Sequence, residues 1–461
     1  MISRGDLDER VREWGLRDDT VEKDFVLGWA LWGVGSDEKL SNTWIFKGGT
    51  CLKKCYIETF RFSEDLDFTV MPGGPIMPEQ VEPILQAMLV RVGAESGIDF
   101  TVAPPKYKMR PSGHSAEGSV YYRGPRGAPQ AARIKLDLNS EEKVARPTVL
   151  RPISHTYPDK LPQPATVRCY GFEEVFAEKI RAMGERSRPR DLYDIVNLFR
   201  WPDLRAHPAV IREVLTEKCQ SKGIPVPTLL SVQQSEFRGE LEAEWSNMLA
   251  HQLPQLPPFQ QFWDELPALF GWLEGGAAPV EPASIPLRAD DDGVWTPPPT
   301  VWLWGGGAPV ESIRFAAANR LCVELGYLNS KRIIEPYSLR RTKDGNMLLY
   351  AVKADTGEVR GYRVDRIQSI KVTQRPFTPR YAIELTSGGA LPVPDLTRAR
   401  MPSFGRPASR GLSGGPTYVV ECSACGKKFR RTQTGIRLNA HKDPSGYPCH
   451  GRSGYLIDTI Y

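Results

Sequence analysis

Two carboxylates two residues apart carry the strongest chemical signal in this sequence. They end the stretch IFKGGTCLKKCYIETFRFSEDLDFTV, which runs from Ile45 to Val70. Period-two alternation places Asp65 and Asp67 on one face of a predicted strand and apolar residues on the other. Such a pair can hold divalent cations, because Mg²⁺ prefers one or two carboxylates together with substrate phosphates. A lone Asp-x-Asp is usually a solvated strand face, so the prediction depends on the neighbouring residues.

A glycine turn precedes the acidic pair. Gly48, Gly49 and Thr50 follow the end of a predicted strand and precede a short predicted helix through Tyr56. Glycine lets backbone N–H groups approach a polyphosphate, and a helix N-terminus attracts the same anion. Gly-Gly alone is only a turn. The order of turn, helix and paired acids predicts a site for phosphoryl or nucleotidyl transfer.

The same order resembles the nucleotidyltransferase superfamily related to DNA polymerase beta. The fuller strings are similar to the AbiEii/AbiGii branch, the toxin half of bacterial abortive-infection toxin–antitoxin pairs: Glu22-Lys23-Asp24, Phe46-Lys47-Gly48-Gly49-Thr50 and Arg61-Phe62-Ser63-Glu64-Asp65-Leu66-Asp67. The resemblance implies two Mg²⁺ ions on Asp65 and Asp67. It also implies an NTP held by Lys47, Gly48, Gly49, Thr50 and Ser63.

A third acid follows on the strand predicted from Ala132 to Leu138. In RIKLDLN, apolar residues alternate with polar ones, so Asp137 can meet Asp65 and Asp67. The alternative is an edge-strand acid paired with a neighbouring base. We favour the metal site because the upstream pair is present.

Two predicted helices, FEEVFAEKIRAMGERS and PRDLYDIVNLF, extend from Phe172 to Phe199. Lys179 lies beside the apolar stripe of the first helix, a position also open to a surface lysine. The family carries a lysine on the first helix and an Arg-x-Lys-Asp-x-x-Asp motif on the second. This chain has Arg190 where the family often has lysine, and a planar guanidinium binds differently from an ammonium. The resemblance implies that Lys179 and Arg190 neutralise the leaving pyrophosphate, while Asp191 and Asp194 orient Lys179 or move a proton.

From Ser312 onward, alternating residues and turns at 343–346 and 355–358 predict a small antiparallel barrel. The strings RIIEPYSLR from Arg332, LYA from Leu349 and YRVDRI from Tyr362 resemble the WYL domain of bacterial regulators. The resemblance implies a barrel that senses DNA or a nucleotide through a groove lined by Tyr337, Arg340, Arg363 and Arg366. Alternatively, the arginines protect a barrel edge from aggregation.

Metal-ligand spacing marks the C-terminal end. Cys422 and Cys425 are separated by two residues, His441 follows after fifteen more, and Cys449 stands beside His450. We predict a structural Zn²⁺ held by Cys422, Cys425, His441 and Cys449, with His450 as the alternative fourth ligand. Phe429 and Leu438 resemble the small core of a ββα zinc finger. Basic residues around the ligands are consistent with nucleic-acid contact or with a solvated face.

Length and charge bound the organisation. The 461 residues allow several domains, and the net charge of +5 is concentrated at the end, where residues 401–461 hold nine Lys/Arg and three Asp/Glu. No eighteen-residue apolar run or signal sequence occurs, so we expect a cytoplasmic protein without membrane contact. We predict a nucleotidyltransferase domain with a helical second half over residues 1–275, a linker over 276–311, a barrel over 312–386, a linker over 387–416 and a zinc module over 417–461.

The predicted fold class is therefore an α/β (α+β) nucleotidyltransferase domain with a helical half, followed by a small all-β barrel and a zinc-binding module. The predicted function is Mg²⁺-dependent transfer of nucleotides from NTP to an acceptor. The resemblance implies a phage-defence toxin that modifies RNA, such as tRNA, and is controlled by an antitoxin. The alternatives are a nucleic-acid-binding regulator with a nucleotide-sensing N-terminal domain, or phosphoryl transfer to a protein.

Overall fold

A computed structural model describes most of the chain. It covers residues 1–57, 61–201, 207–277, 280, 282–286, 310–342, 346–386, 417–431, 435–444 and 448–460. The predicted linker at 387–416, most of the linker at 276–311, and the turn residues 343–345 lie outside the described residues. Two compact units are formed, Met1–Pro394 and Asp395–Tyr461.

The N-terminal region begins with helices and then forms a sheet. Its first elements are α1 (Arg4–Trp14), α2 (Asp18–Gly35), α3 (Leu40–Thr43), β1 (Trp44–Lys47), α4 (Gly48–Cys51) with a π-helical continuation (Leu52–Tyr56), β2 (Asp65–Val70), α5 (Pro78–Ser96), β3 (Lys106–Met109), β4 (Ser115–Tyr122), β5 (Ala132–Asn139), β6 (Val149–Pro152) and β7 (Thr166–Cys169).

Helices follow the sheet and form the predicted helical half. They are α6 (Phe172–Arg186), α7 (Pro189–Arg200), α8 (Pro208–Lys222), α9 (Leu229–Gln233), α10 (Arg238–Ala243), α11 (Trp245–Leu249), α12 (Phe259–Trp263) and α13 (Leu266–Leu273). A short 3₁₀ turn, Ala250–Gln252, follows α11.

The seven strands form one mixed sheet in the order β3-β4-β5-β2-β1-β7-β6. Strands β2 and β5 run parallel, as do β1 and β7, and the other neighbouring pairs are antiparallel. Helices α2 and α5 cover the apolar face, where Ala30 and Leu85 pack near Leu66 and Leu136. The opposite face of β2 and β5 carries the candidate acids, so the alternation predicted from sequence is confirmed.

No strand forms over residues 98–103, although the string IDFTVA contains the β-branched and aromatic residues typical of one. Residues 98–103 contribute only a single bridge, between Asp99 and Arg123. The Asp99 carboxylate accepts the backbone N–H of Thr101 at 2.8 Å, which closes a turn there. Pro104 and Pro105 follow directly and have no N–H for a strand ladder.

The next region consists of a helix on a five-stranded antiparallel sheet. Its elements are α14 (Val310–Ala318), β8 (Leu321–Tyr327), β9 (Ser330–Arg341), β10 (Met347–Lys353), β11 (Val359–Arg363) and β12 (Ile367–Pro376). The sheet order is β11-β10-β9-β8-β12, and the described residues contain no pairing between the outer strands β11 and β12. The sheet is therefore open and is not the predicted closed barrel. Helix α14 packs against β8, β9 and β12, so a helix buries the apolar side of the sheet without barrel closure.

Polar contacts join this sheet region to the N-terminal region. The Tyr193 hydroxyl on α7 donates to Asn319 Oδ1 at 2.9 Å, and both residues are buried. Glu265 accepts from Arg200 and from Arg320 at 2.6 Å. Both regions lie in the compact unit Met1–Pro394.

The C-terminal unit is built from short strands. They are β13 (Thr417–Cys422), β14 (Lys428–Arg431), β15 (His441–Lys442), β16 (Pro448–Cys449) and β17 (Gly454–Ile460). Strand β13 pairs with both β14 and β17, while β15 pairs with β16. No helix occurs among the described residues after 416, so the likeness to a ββα finger is not met. Pro444 and Pro448 follow His441 and disfavour a helix there.

No helix of the described ranges is both long and apolar enough to cross a membrane.

Candidate functional site

The three aspartates lie on one face of neighbouring strands. In the parallel pair of β2 and β5, Asp67 stands opposite Asp137 and Asp65 stands opposite Lys135. Burial raises the pKa of Asp67 to about 6, and the charges of Asp137 and Asp65 add to this effect against the opposing charge of Lys47. Burial also raises the pKa of Asp65. The acids therefore repel one another at the edge of a partly buried cleft.

The glycine turn lies directly against these acids. Gly48 has a φ of +81° and so occupies the left-handed region. A Cβ atom at Gly48 would collide with the Asp67 carboxylate, and one at Gly49 would stand 3.1 Å from Ser63 Oγ. The Thr50 hydroxyl donates to the Asp65 carbonyl oxygen at 2.5 Å, so Thr50 fixes the turn to β2. Glycine is required at 48 because the backbone itself passes the carboxylate.

Lys179 is held by a buried carboxylate. Its Nζ lies 2.7 Å from Asp194 Oδ2, and the Asp194 side chain is fully buried. Arg61 binds the same carboxylate with two donors, Nε at 2.7 Å from Oδ1 and Nη2 at 2.8 Å from Oδ2. Burial alone would raise the pKa of Asp194, but Arg61 and Lys179 hold it below its usual range. Asp194 thus orients Lys179, and Arg61 fixes Asp194.

We expected Asp191 to orient Lys179 or to move a proton, but its carboxylate binds a different residue. Its carboxylate accepts from Arg186 Nε at 2.8 Å and Nη2 at 3.0 Å, so it pairs with the last residue of α6 and not with Lys179. Arg190 is partly buried, and its Nε donates to the Met248 carbonyl oxygen at 3.4 Å. Burial, together with the charge of Arg61, lowers the pKa of Arg190.

A cavity of about 200 Å³ opens between the glycine turn and α6. Lys47, Gly48, Gly49 and Asp67 line one side, and Lys179 lies on the other. Further lining residues were not predicted from the sequence: Glu142, Tyr170, Glu178 and Arg181. Lys47 forms an ion pair with Glu142, and burial lowers the pKa of Lys47 to about 8. Glu142 follows β5 without any periodic or motif signal, which explains why sequence reasoning missed it.

The three aspartates offer a set of oxygen donors to Mg²⁺. Their oxygen donors suit a hard divalent cation, which would offset the burial and the like-charge repulsion that together raise the pKa of Asp67. Arg110 donates to Asp137 Oδ1 at 2.6 Å, so a half-exposed cation currently engages the third acid. Two groups of potential ligands converge within 4.8 Å among the described residues, and both contain cysteines, not these aspartates. The donor set fits magnesium, with Asp137 released from Arg110.

A basic surface continues from the acids across the exposed face of β5, β4 and β3. The strand registers place the following side chains on the same face as Asp65 and Asp67: Lys106, Lys108, Arg110, Arg133 and Lys135. All five are exposed. Tyr121 lies among them, with Lys106 Nζ 5.8 Å from its ring centroid. We call this surface the basic sheet face.

The candidates in the second sheet region do not share one groove. Tyr337 is fully buried, and its hydroxyl donates to Glu335 Oε2 at 2.9 Å. Arg340 is buried as well and pairs with Glu384. The Arg363 guanidinium binds Asp365 through two donors at 3.0 and 2.7 Å, and Arg366 is exposed. The expectation of a common groove fails for Tyr337 and Arg340 because both are paired inside the region.

The C-terminal ligands converge as predicted. The ligand atoms of Cys422, Cys425, His441 and Cys449 all lie within 4.8 Å of one another. Cys422 Sγ is 3.9 Å from Cys449 Sγ, and Cys425 Sγ is 3.4 Å from His441 Nε2. His450 is exposed and lies outside this group.

The cluster is compatible with zinc. The Ala424 N–H donates to Cys422 Sγ at 3.5 Å and lowers the pKa of this thiol to about 6, which favours the thiolate that zinc requires. His441 Nδ1 lies 2.9 Å from the Asn439 carbonyl oxygen, a contact that directs Nε2 toward the sulfurs. A Cβ at Gly451 would lie 2.6 Å from Cys422 Sγ, so only glycine fits beside the ligand.

A mixed sheet with a glycine turn beside paired acids defines a nucleotidyltransferase-like protein. Residues 29–265 match the family model described as nucleotidyl transferase AbiEii toxin, type IV TA system, and residues 310–372 match the WYL domain. The first match covers more than half of the sequence. The chain belongs to the AbiEii nucleotidyltransferase toxin family and carries a WYL domain after the toxin domain.

Solved structures add a distant likeness. MenT4, a nucleotidyltransferase toxin from Mycobacterium tuberculosis H37Rv, is 18% identical, with 60% of this chain and 91% of that chain covered and a TM-score of 0.38. Proteasome accessory factor B/C of Arthrobacter aurescens is 14% identical, with 59% and 41% covered and a TM-score of 0.14. A search of curated proteins returns no match. The family assignment therefore rests on the sequence match alone.

Proposed function

We propose that this protein is a Mg²⁺-dependent toxin that transfers a nucleotide from an NTP to an RNA acceptor. The observation that carries the proposal is the register of β2 and β5, which sets Asp67 opposite Asp137 beside the Gly48 turn. Family membership supports nucleotidyl transfer, an NTP substrate and a cognate antitoxin. Phage defence is the biological role that we propose for such a toxin.

The cleft residues take three roles at the nucleotide phosphates: metal binding, backbone contact and charge neutralisation. Two Mg²⁺ ions held by Asp65, Asp67 and Asp137 would supply Lewis-acid stabilisation of the phosphates. The backbone of Gly48 and Gly49 binds the triphosphate, with Ser63 beside the turn. Lys47 and Lys179 offset phosphate charge from opposite sides of the cavity. Asp194 holds Lys179 in place through their ion pair.

The basic sheet face supports RNA as the acceptor. Two of its five exposed cations, Arg133 and Lys135, lie on β5 together with Asp137, and the other three lie on β3 or directly after it, two strands away in the same sheet. A polyanion lying along this face would therefore reach the reacting phosphate. Tyr121 offers a ring on which a base could stack. A protein acceptor would not need a row of cations, so this surface favours RNA, such as tRNA, over protein-directed phosphoryl transfer.

We propose separate roles for the two modules that follow the toxin domain. We propose that the WYL domain senses a nucleic acid or nucleotide through Arg363, which is partly exposed, and Arg366, which is exposed. We also propose that Zn²⁺ holds the C-terminal module together. The division into residues 1–275, 312–386 and 417–461 stays a prediction.

The test measures incorporation of each labelled NTP into total RNA with Mg²⁺. Asp67→Asn is expected to abolish incorporation, because transfer needs the acid opposite Asp137. The double substitution Arg133→Gln with Lys135→Gln is expected to lower incorporation and its dependence on salt, because phosphate contacts are lost. Lys39→Gln with Lys222→Gln removes the same charge at exposed positions on other elements and serves as the control.

Two outcomes would count against the proposal. No incorporation with any NTP, together with nucleic-acid binding that survives Asp67→Asn, would favour the regulator. Equal loss in the basic-face and control variants would remove the basic sheet face from acceptor binding while leaving nucleotidyl transfer intact.

A further inference from the structure

Three buried cysteines converge behind the glycine turn. Cys51 ends α4, and Cys55 lies four residues later in the π-helical continuation. Cys169 is the last residue of β7. Helical spacing brings the first two to one side, and the sheet brings the third to them. Their three Sγ atoms lie within 4.8 Å of one another, and each residue is at most 1% exposed.

Ordinary core packing explains a single buried cysteine but not this convergence. Buried thiols usually act as small hydrophobic groups. Cys219 and Cys322 do so here, since each is buried and neither belongs to a cluster of potential ligands. Sulfurs that share one metal ion at about 2.3 Å stand about 4 Å apart. The three clustered sulfurs need little movement to reach that geometry.

We propose that Cys51, Cys55 and Cys169 bind one soft metal ion through three thiolates. Thiolates select Cu(I) or zinc among the common ions. Structural zinc takes four ligands, yet no other Cys, His, Asp or Glu of the described residues joins the group. The nearby Tyr56 hydroxyl instead donates to the Tyr170 carbonyl oxygen at 2.6 Å. Cu(I) is the better fit, because it needs no fourth ligand.

Binding requires proton release but no redox chemistry. Each of the three thiols gives its proton to solvent and forms one bond to the ion, whose oxidation state is unchanged. The product carries a net negative charge. Arg151 lies close, with Nε donating to the Cys55 carbonyl oxygen at 3.0 Å and its guanidinium 4.7 Å from the Tyr56 ring centroid. A cation is thus already placed to offset that charge.

The ion would fasten two segments that shape the nucleotide cavity. Cys51 directly follows Thr50 of the glycine turn, and Cys169 precedes Tyr170, which lines the cavity. The Tyr170 hydroxyl lies 2.5 Å from Thr69 Oγ1 on β2. The metal site is inferred independently of nucleotidyl transfer, since its test measures metal and not activity.

The experiment uses full-length protein with Cys422→Ser and Cys425→Ser, which removes the C-terminal cluster. Reduced protein competes anaerobically with a chromogenic chelator for Cu(I), both in its native state and during refolding from urea. One equivalent is expected to bind. Cys51→Ala, Cys55→Ala and Cys169→Ala should each weaken binding by more than the roughly 10–100-fold typical of outer-shell changes. Cys219→Ala is the matched control and should bind as the parent does.

A second measurement, made on the parent protein, tests the proposal even if the cysteine variants fail to fold. X-ray absorption of the copper-loaded parent should count three sulfur neighbours in direct contact with the ion. The proposal is overturned if the parent takes no copper in either state while its thiols stay reduced. Undiminished binding in folded Cys169→Ala, or a count of two sulfurs, also overturns it.

Discussion

The candidate cleft and the C-terminal Cys/His module position their functional side chains in opposite ways. The cleft draws residues from Lys47 to Asp194, and a seven-stranded sheet with two helices holds them in place. The module takes all four ligands from residues 422–449, around a core of little more than Val420 and Leu438. In the cleft the fold positions the site, whereas in the module the bound metal would hold the fold.

The largest expected effect comes from removing a ligand in the module. Cys449→Ser should release zinc and unfold residues 417–460, because metal binding supplies about 10 kcal/mol or more in such small sites. Limited proteolysis with mass spectrometry should show new cleavage in this segment, while the urea midpoint of Met1–Pro394 is unchanged. His450→Ala is the control, since His450 is exposed and outside the cluster. Zinc loss in the control but not in Cys449→Ser would reverse the ligand assignment.

Asp194→Asn should lower the free energy of unfolding of the region around the cleft while leaving its fold intact. Removing this charge leaves Arg61 and Lys179 buried with weaker partners, which costs about 3–5 kcal/mol. Asp191→Asn is the matched comparison. Its partner Arg186 is half exposed and can regain water, so the loss should be smaller. Urea unfolding monitored by tryptophan fluorescence gives both values, and equal losses would contradict the assigned role of the buried pair.

Local patterns predicted the elements of the cleft but not its long-range pairs. Alternation in DLDF and KLDL placed Asp67 and Asp137 on strand faces, and the register that joins them emerged only with the folded sheet. Arg61 meets Asp194 across 133 positions, a separation over which no periodicity acts. The Cys51, Cys55 and Cys169 cluster was hidden for the same reason.

In the module, the sequence predicted the converging ligands but not the secondary structure that carries them. Its ligand spacing was sufficient to predict which four side chains converge, because short loops leave few alternatives. The same spacing suggested a helix that does not form in the described residues, since Pro444 and Pro448 interrupt it. The open WYL sheet was missed similarly, because strand alternation does not specify whether the outer strands pair.

A smaller loss of activity is expected from Gly48→Ala. Comparing it with Gly223→Ala separates the cost of backbone strain from the cost of a collision with the Asp67 carboxylate. Positive φ costs a non-glycine residue about 1 kcal/mol. Gly223→Ala carries this cost alone, because φ is +66° there and no atom lies within 4 Å of the added Cβ. Gly48→Ala also displaces the Asp67 carboxylate, so it should lower nucleotide incorporation much more than Gly223→Ala at similar thermal stability. Equal activity in the two variants would show that the close approach of Gly48 to Asp67 has no role.

The smallest expected effect is a difference in acid sensitivity: the module and the cleft should lose stability in different pH ranges. Protons compete with the metal for thiolates and imidazole, so mild acid should release zinc from the module first. In the cleft, Arg61 and Lys179 hold the pKa of Asp194 below its usual value despite burial. A carboxyl with a depressed pKa contributes stability above its unfolded pKa, about 3.9, and this contribution is lost as the pH falls below that value.

All eleven tryptophans precede residue 305, so tryptophan fluorescence reports only the unit that contains the cleft. A zinc-sensitive dye reports the module in the same titration. Zinc release should be complete while the tryptophan signal is still native, and Asp194→Asn should weaken the dependence of stability on pH below about 4. Coincident transitions would mean that one set of groups controls both regions. Unchanged steepness in Asp194→Asn would instead assign the acid sensitivity of the cleft to other carboxylates.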